Sequence, residues 1–339
     1  MIITERVPLR TLTTFRVGGE ARYVATCNDE HDVRSAITFA REHALPFVVL
    51  GGGSNVLPED GGYEGVVIQP QINTLSFGAP YGGNVRVDAG ASISWDALVA
   101  EAAHRSLWGI ENLAGIPGSV GAAPVQNIGA YGTELSDTLQ SVDVFDALRD
   151  CVVTLSKAEC GFGYRDSVFK RNKNLIILSV SLLLTEKGAP ELSYKDLAAY
   201  ARHTPLTTAQ EVGNAVRAIR AKKFPDLALH GTAGSFFKNP VISQKRYDAL
   251  CKEYEGLPGF PSGDGIKVSL AWILDNVLML RGYRKGHAWL HDAQPLVLVA
   301  DRDASARDIE TLADEVAARV YEKTGIILER EVHSLSDKK

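Results

Sequence analysis

The sequence has few of the features that mark secreted, metal-binding, membrane or nucleic-acid-binding proteins. Its 339 residues include only four cysteines, which have no CxxC spacing and no neighbouring histidine pattern, and this argues against a disulfide framework and a zinc site. No apolar run approaches the length of a membrane span, and the first ten residues, MIITERVPLR, lack the apolar stretch of a secretory signal. The net charge of −5 leaves no basic excess for binding nucleic acid or an anionic membrane. We therefore expect a cytoplasmic protein with reduced cysteines and no metal, and with neither nucleic acid nor a membrane as a partner.

What the sequence does contain is the composition of an ordinary folded protein, with 45% hydrophobic and 23% charged residues. Its length predicts about two or three domains. Apolar residues at helical spacing predict helices at 31–43, 95–104, 209–222, 243–254, 267–280 and 306–323. Short apolar or alternating runs predict strands at 47–50, 65–69, 85–93, 141–147, 151–156, 175–184, 295–300 and 326–332. The order of these segments is typical of a mixed α+β fold.

Two glycine-rich tracts occur in the first half of the chain, LGGGSNVL at 50–57 and GIENLAGIPGSVGAAPVQNIGAYG at 109–132. Glycine is favoured where φ is positive or where the backbone must touch a neighbour closely. Each tract could be a long turn, or it could be a cradle whose N–H groups bind phosphate oxygens. The first tract is neither the dinucleotide-binding GxGxxG pattern nor a P-loop, so on its own it does not decide between these interpretations.

The two tracts together resemble the FAD-binding region of the UDP-N-acetylenolpyruvoylglucosamine reductase family, which is part of the vanillyl-alcohol-oxidase-type flavoproteins. Further segments match the family in the same order along nearly the whole chain: TTFRVGG at 13–19, GYRDSVFK at 163–170, GTAGSFFKNP at 231–240 and LEREV at 328–332. The resemblance implies an α+β fold with a two-part FAD-binding domain of the vanillyl-alcohol-oxidase (PCMH) type at 1–75 and 76–215. It also implies an α+β substrate-binding domain at 216–339, whose C-terminal strand returns to the active site.

The resemblance also implies an activity and its cofactors. The expected reaction is the NADPH-dependent reduction of UDP-N-acetylglucosamine enolpyruvate to UDP-N-acetylmuramate by a monomer with non-covalent FAD, as a step in cytoplasmic peptidoglycan precursor synthesis. The residues expected to contact FAD are Leu50, Gly51, Gly52, Gly53, Ser54, Asn55, Gly115, Ile116, Pro117, Gly118, Ser119, Gly121, Ala122, Asn127, Gly129, Ala130 and Tyr131.

The reduction itself requires three kinds of side chain. A hydride adds to the methylene carbon of the enolpyruvyl ether and a proton adds to the carbon that bears the carboxylate. The addition passes through an enolate-like intermediate whose negative charge spreads onto that carboxylate. A fixed guanidinium can neutralise the charge, a hydroxyl can deliver the proton, and a carboxylic acid with a raised pKa can hydrogen-bond to the developing charge. The resemblance implies that Arg165, Ser235 and Glu331 have these roles.

The uridine diphosphate of the substrate needs cations and hydrogen-bond donors of its own. The resemblance assigns diphosphate contacts to Lys223 and Asn239, and a covering role to Tyr194, whose presence indicates the subtype of the family that has this tyrosine loop. Lys223 belongs to the basic run RAIRAKK at 217–223, whose cations could instead complement the dipole at the C-terminal end of a helix.

Each catalytic candidate also has an ordinary structural interpretation. Arg165 could be a surface ion-pair residue, Ser235 a turn cap and Glu331 a solvated strand residue. The family commonly has proline before this glutamate, whereas Arg330 stands here, and its charge could lower the pKa of Glu331 or could face solvent. Two other functions compete. One is an oxidase of a sugar or hydroxy acid with the same fold, for which no motif for tethering FAD is visible. The other is a non-catalytic nucleotide-binding or scaffold protein that has kept the glycine turns.

Overall fold

A computed structural model describes residues 1–335 of the chain. The strands of this part are β1 (Ile2–Pro8), β2 (Glu20–Cys27), β3 (Phe47–Val49), β4 (Val56–Leu57), β5 (Tyr63–Pro70), β6 (Leu75–Phe77), β7 (Asn84–Gly90), β8 (Gly129–Ala130), β9 (Thr133–Glu134), β10 (Leu139–Asp146), β11 (Cys151–Ser156), β12 (Leu175–Thr185), β13 (Val241–Ile242), β14 (Gly259–Ser262), β15 (Gly265–Val268), β16 (Arg284–Lys285), β17 (Ala288–Leu290), β18 (Leu298–Ala300) and β19 (His333–Ser334). The helices are α1 (Glu30–Glu42), α2 (Trp95–His104), α3 (Leu135–Thr138), α4 (Val168–Arg171), α5 (Lys195–Ala201), α6 (Ala209–Lys223), α7 (Gln244–Glu253), α8 (Leu270–Trp272) and α9 (Ala306–Thr324). The mixed α+β class expected from the sequence is confirmed.

Most of the predicted segments are confirmed, and two are wrong. The helix predicted at 267–280 is only the short α8, followed by a turn of π-helix at Ile273–Val277. The strand predicted at 326–332 does not form a ladder, because this segment pairs with its neighbour only through isolated hydrogen bonds before β19 begins. The strand predicted at 295–300 forms only over its last three residues, as β18.

The chain divides into two compact units. Unit 1 comprises Met1–Val7, Ala21–Gly53 and Glu64–Ala221. It contains a sheet of order β1-β2-β5-β3, in which β3 and β5 are parallel, and an antiparallel sheet of order β11-β10-β12-β7-β6. Helix α1 begins at the N-cap Asp29 and buries Val33 and Ile37, which join the same core as Val66.

Unit 2 comprises Pro8–Glu20, Ser54–Tyr63 and the chain from Lys222 onward. Its sheets have the orders β13-β15-β14 and β16-β17-β18, and β19 lies parallel to β4. Its core includes Phe15 and Leu57 from the early segments together with the apolar face of α9. Helix α9 begins with a capping box formed by Ser305 and Asp308, as the sequence predicts, and ends before Gly325. The three-part domain division at 75 and 215 stays a prediction.

Among residues 1–335, no helix combines the length and the apolar character that a crossing of the bilayer requires.

Candidate active site

The two glycine tracts lie against each other in unit 1. A Cβ on Gly51 would lie 2.6 Å from Ser119 Oγ, and a Cβ on Gly52 would lie 2.8 Å from Gly118 Cα. Gly118 has a φ of 125°, which a residue with a side chain rarely adopts. Because only glycine permits so close an approach of two backbones, the structure favours the cradle over a pair of long turns.

The cradle also contains a polar atom that needs a partner. Ser119 Oγ is buried, and no group of residues 1–335 forms a hydrogen bond with it. A buried hydroxyl without a partner costs about 1–3 kcal/mol, so a ligand atom at this point would explain its position. A hydroxyl beside bare backbone suits a diphosphate and a flat ring system. These residues therefore fit FAD.

The other predicted FAD contacts of the first tract fall in both units. Leu50 is buried and its N–H donates to Ile68 O at 2.9 Å, while Gly53 has a φ of 61°. Ser54 and Asn55, which follow directly, belong to unit 2. In the second tract, Gly121 donates its N–H to Ala91 O, Ala122 faces Gly51, Ile116 and Ala130 are half-buried, and Pro117 is exposed.

Gly115 is fixed by side chains from two helices of unit 1. Its N–H donates to Asp96 Oδ1 of α2 at 2.6 Å, and its carbonyl accepts from Arg220 Nε of α6 at 2.9 Å. Arg217, also on α6, pairs with Asp96 at 2.9 Å. Burial lowers the pKa of Arg220. Sequence reasoning missed Asp96, because an acidic residue in the first turn of a helix ordinarily complements the helix dipole.

The end of the second tract is fixed by two asparagines. Asn127, with a φ of 45°, donates its amide to Glu134 at 2.8 Å. Asn112 is fully buried, and its amide donates to Tyr131 O at 2.8 Å and to Glu191 O at 2.9 Å. Sequence reasoning missed Asn112, because no local pattern marks a buried amide that joins two distant carbonyls.

The predicted covering residue lies beside this tract. The rings of Tyr131 and Tyr194 meet edge to face with centroids 5.0 Å apart, and Tyr194 is 46% exposed. Burial raises the pKa of Tyr131 to about 12, so its hydroxyl is neutral at physiological pH. The segment that carries Tyr194 is therefore joined to the second glycine tract by this ring contact and by the hydrogen bonds of Asn112.

Arg165 occupies an unusual backbone position. It lies in a tight turn closed by Gly163 N–H to Asp166 O at 3.0 Å and by Asp166 N–H to Gly163 O at 3.2 Å. Its φ is 54°, a conformation that costs a residue with a side chain about 1–2 kcal/mol. Its guanidinium donates through Nη2 to Gly129 O in the second glycine tract at 2.8 Å. The structure thus brings Arg165 to the tract whose residues are expected to contact FAD.

Ser235 and Glu331 lie on adjoining segments of unit 2. Ser235 follows Gly234, whose φ is 75°, and bridges Val297. The next residue, Phe236, accepts a hydrogen bond from Glu331 N–H at 2.8 Å. The structure therefore brings together two predicted catalytic residues that are 96 positions apart in the sequence (331 − 235).

The groups around this pair have identifiable partners. Asn55 donates its amide to Glu331 O at 3.1 Å, so it helps to fix the glutamate's backbone. Arg330 pairs with Asp314 at 2.6 Å. Lys238 pairs with Glu329, so its ammonium is already bound to a carboxylate.

The remaining two candidates also belong to unit 2. Asn239 accepts a hydrogen bond at Oδ1 from Leu270 N–H at 3.0 Å, which identifies its NH₂ group as the donor end of the amide. Lys223 is the last residue of α6.

Both halves of the chain are similar to known proteins. Residues 21–154 match a family model described as an FAD binding domain, and residues 226–335 match one described as the C-terminal domain of UDP-N-acetylenolpyruvoylglucosamine reductase. A UDP-N-acetylenolpyruvoylglucosamine reductase from Ralstonia nicotianae is 40% identical over 97% of this chain and 98% of its own length. One from Pseudomonas aeruginosa is 37% identical over 97% of this chain and 98% of its own length.

A solved structure shows the same likeness in three dimensions. The UDP-N-acetylenolpyruvylglucosamine reductase from Thermus caldophilus aligns with a TM-score of 0.68 at 26% identity, covering 98% of this chain and 99% of that one. The similarity thus extends over both units rather than over an isolated motif.

Proposed function

The chain belongs to the UDP-N-acetylenolpyruvoylglucosamine reductase family, and from this premise we propose that NADPH is its hydride donor and that Arg165, Ser235 and Glu331 carry out its chemistry. It is an FAD-dependent oxidoreductase that reduces UDP-N-acetylglucosamine enolpyruvate in peptidoglycan precursor synthesis. When bound, FAD relays a hydride from the nicotinamide to the methylene carbon of the enolpyruvyl group. We also propose that the protein acts as a monomer in the cytoplasm.

The observation that carries the catalytic proposal is the pairing of the Ser235 and Glu331 segments through Phe236. A serine hydroxyl and a carboxyl group on adjoining segments suit a reaction that needs a proton donor and a hydrogen-bond donor at one three-carbon unit. A surface turn would have no use for this combination. Neither the interpretation of Ser235 as a turn cap nor that of Glu331 as a solvated strand residue explains why the two segments are paired.

Arg165 is proposed to bind the carboxylate of the enolpyruvyl group. Its guanidinium is already oriented through Gly129 O, so little side-chain entropy is lost when it accepts an anion. As the hydride adds, and before the proton arrives, charge develops on that carboxylate, and a fixed cation stabilises it more than water would.

Ser235 is proposed to deliver the proton to the carbon that bears the carboxylate, and Glu331, in its protonated form, to hydrogen-bond to the developing charge. A serine hydroxyl is a weak acid, so it needs a partner that stabilises its alkoxide. Lys238 is already paired with Glu329, and an ordered water is therefore the partner that we propose.

Lys223 and Asn239 are proposed to bind the substrate's diphosphate, and Tyr194 to cover the bound substrate. The NH₂ group of Asn239 has the polarity that a diphosphate needs, because its oxygen accepts from Leu270. The cation of Lys223 would add a charge-assisted hydrogen bond.

The two half-reactions separate the role of Ser235 from a structural role. NADPH reduces the flavin without any proton reaching the enolpyruvyl group. In Ser235→Ala, the flavin is therefore expected to lose its absorbance at a near-normal rate in stopped-flow measurements. Reoxidation by the enolpyruvyl substrate is expected to slow by ~10²-fold or more, the usual effect of losing a positioned acid.

Ser76→Ala is the control, because Ser76 is exposed on β6 of unit 1. Wild-type rates in both half-reactions of Ser235→Ala would make Ser235 a turn cap and would overturn the proposed mechanism. Release of the flavin by acid precipitation separately tests its non-covalent binding.

A further inference from the structure

We propose that Lys170 is a positioning residue for Arg165, and that its ammonium keeps the arginine in the backbone conformation that directs the guanidinium toward the substrate carboxylate. This inference rests on the role proposed above for Arg165. Lys170 belongs to the same GYRDSVFK segment as Arg165, and the role proposed for the arginine does not account for this lysine.

The first step of the argument is the conformation of Arg165. Its φ of 54° is unfavourable for a residue with a side chain, and glycine is the usual choice at such a position. Strained backbone of this kind persists only where the surrounding structure requires it, and it is concentrated at functional sites. A group that contacts the Arg165 backbone can therefore maintain this conformation.

Lys170 makes that contact. Its Nζ donates to the carbonyl oxygen of Arg165 at 3.1 Å. The guanidinium of the same arginine donates to Gly129 O at 2.8 Å. Arg165 is thus held at both ends, at its carbonyl by Lys170 and at its side chain by the flavin tract.

The element that carries Lys170 is anchored in the core of unit 1. Lys170 lies on α4, a single turn whose Phe169 is only 5% exposed. The turn is fixed at its start by Val168 N–H to Cys160 O at 2.9 Å and by Ser167 Oγ–H to Val125 O at 2.7 Å. Lys170 can therefore act as a fixed donor rather than as a mobile surface cation.

Loss of this donor has a definite structural consequence. Once its carbonyl is no longer held, Arg165 can rotate about its N–Cα bond toward an ordinary φ, and this rotation changes the direction in which the side chain leaves the backbone. A misplacement of about 1 Å in a group that binds the reacting part of a substrate can cost ~10²-fold in rate.

The test measures the rates of both half-reactions, flavin reduction and flavin reoxidation, in Lys170→Met. We expect flavin content, melting temperature and the rate of bleaching by NADPH to match the control, while reoxidation by the enolpyruvyl substrate slows by ~10- to 100-fold. Lys157→Met is the control, because it removes the same charge from an exposed position of the same unit. Lys170→Arg is expected to restore most of the rate, since a guanidinium can also donate to the carbonyl.

Arg165→Ala, measured alongside, separates this inference from the proposed function. Slow reoxidation in Arg165→Ala with control-like reoxidation in Lys170→Met would overturn the role of Lys170 alone. Normal reoxidation in Arg165→Ala would overturn the role of the arginine itself. Equal slowing of both half-reactions in Lys170→Met, or failure of Lys170→Arg to restore the rate, would show general damage and would also overturn the inference. If Lys170→Met is unstable, Lys170→Leu, which also lacks a donor, replaces it under the same criteria.

Discussion

Three residues on or beside the second glycine tract have a backbone conformation that is unfavourable for a residue with a side chain. Asn127, Tyr131 and Arg165 all have positive φ without being glycine, and all three lie in unit 1 on or beside the second glycine tract. Each such residue costs about 1–2 kcal/mol. The neighbours that compensate are polar side chains: Asn112 contacts the Tyr131 carbonyl, and Lys170 contacts the Arg165 carbonyl. The sequence predicts neither the positive φ of these residues nor their partners, because each contact joins positions that no local pattern relates.

A single methyl group at Gly52 is expected to release FAD. The Cβ of Gly52→Ala would lie 2.8 Å from Gly118 Cα, so the two glycine tracts must move apart. The variant should purify with little flavin, measured as the ratio of flavin to protein absorbance, and should retain its circular dichroism spectrum. Gly61→Ala is the matched control, since a Cβ there meets nothing within 4 Å. A yellow Gly52→Ala protein with wild-type flavin content would count against the cradle.

At the scale of elements, the local sequence signals predicted the long helices well. The capping box of α9 was visible as Ser305 followed by Asp308, and the structure shows both of its hydrogen bonds. Asp60 adds two further acceptors for the N–H groups of Ala306 and Arg307, a contact across 246 positions that no local pattern could reveal.

The two incorrect predictions have tertiary causes. The apolar residues of 267–280 satisfy a helical period, but Ile273 and Leu274 are buried in the core of unit 2 on a π-helical turn, which a period of 3.6 cannot anticipate. The 326–332 segment has strand-forming residues, yet its backbone pairs with Phe236 and Lys238 through single hydrogen bonds. This irregular pairing is also what places Glu331 beside the Ser235 segment.

Helix α9 is expected to make the stability of the protein sensitive to acid through Glu315. Its carboxylate accepts from Tyr283 at 2.7 Å and pairs with Lys285 and Arg319. Hydrogen bonds from Lys285 first, and then from Tyr283, lower the pKa of Glu315 to about 2. Because the folded pKa lies below the unfolded one, this contribution is fully present above the ordinary glutamate value of 4.5 and is lost as the pH falls toward about 2.

The measurement is the free energy of unfolding of wild type and Glu315→Gln in urea at several pH values. The destabilisation by Glu315→Gln should be largest near neutral pH and should shrink below pH 4.5 as the pH approaches about 2. Glu322→Gln, at an exposed position of the same helix, is the control. A Glu315→Gln destabilisation that stays constant from neutral to acid pH would show that the ion pairs contribute nothing to stability.

At the scale of the whole molecule, unit 2 is assembled from segments that are far apart in the sequence. Phe15, with no exposed surface, and Leu57 belong to the same core as Phe236 and the apolar face of α9. A Cβ on Gly231 would lie 2.0 Å from Phe15 O, so the early segment is packed tightly against the GTAGSFF segment. The TTFRVGG motif was recognised from the sequence by resemblance, but its packing was not, since hydrophobic periodicity carries no information about contacts between distant segments.

This assembly predicts that residues 216–339 do not fold as an isolated fragment, even though the resemblance places a substrate-binding domain there. The fragment lacks Phe15 and Leu57, and it also lacks β4, the parallel partner of β19. In the full chain, Phe15→Ala is expected to lower the free energy of unfolding by about 3–5 kcal/mol, the usual loss for a fully buried phenylalanine. The fragment loses this side chain and its neighbours together, so it should show no cooperative thermal transition by circular dichroism, whereas the full chain should. A cooperative transition in the fragment would mean that the early segments pack on a core that is already complete, and that the Ser235 and Glu331 segments can adopt their arrangement without them.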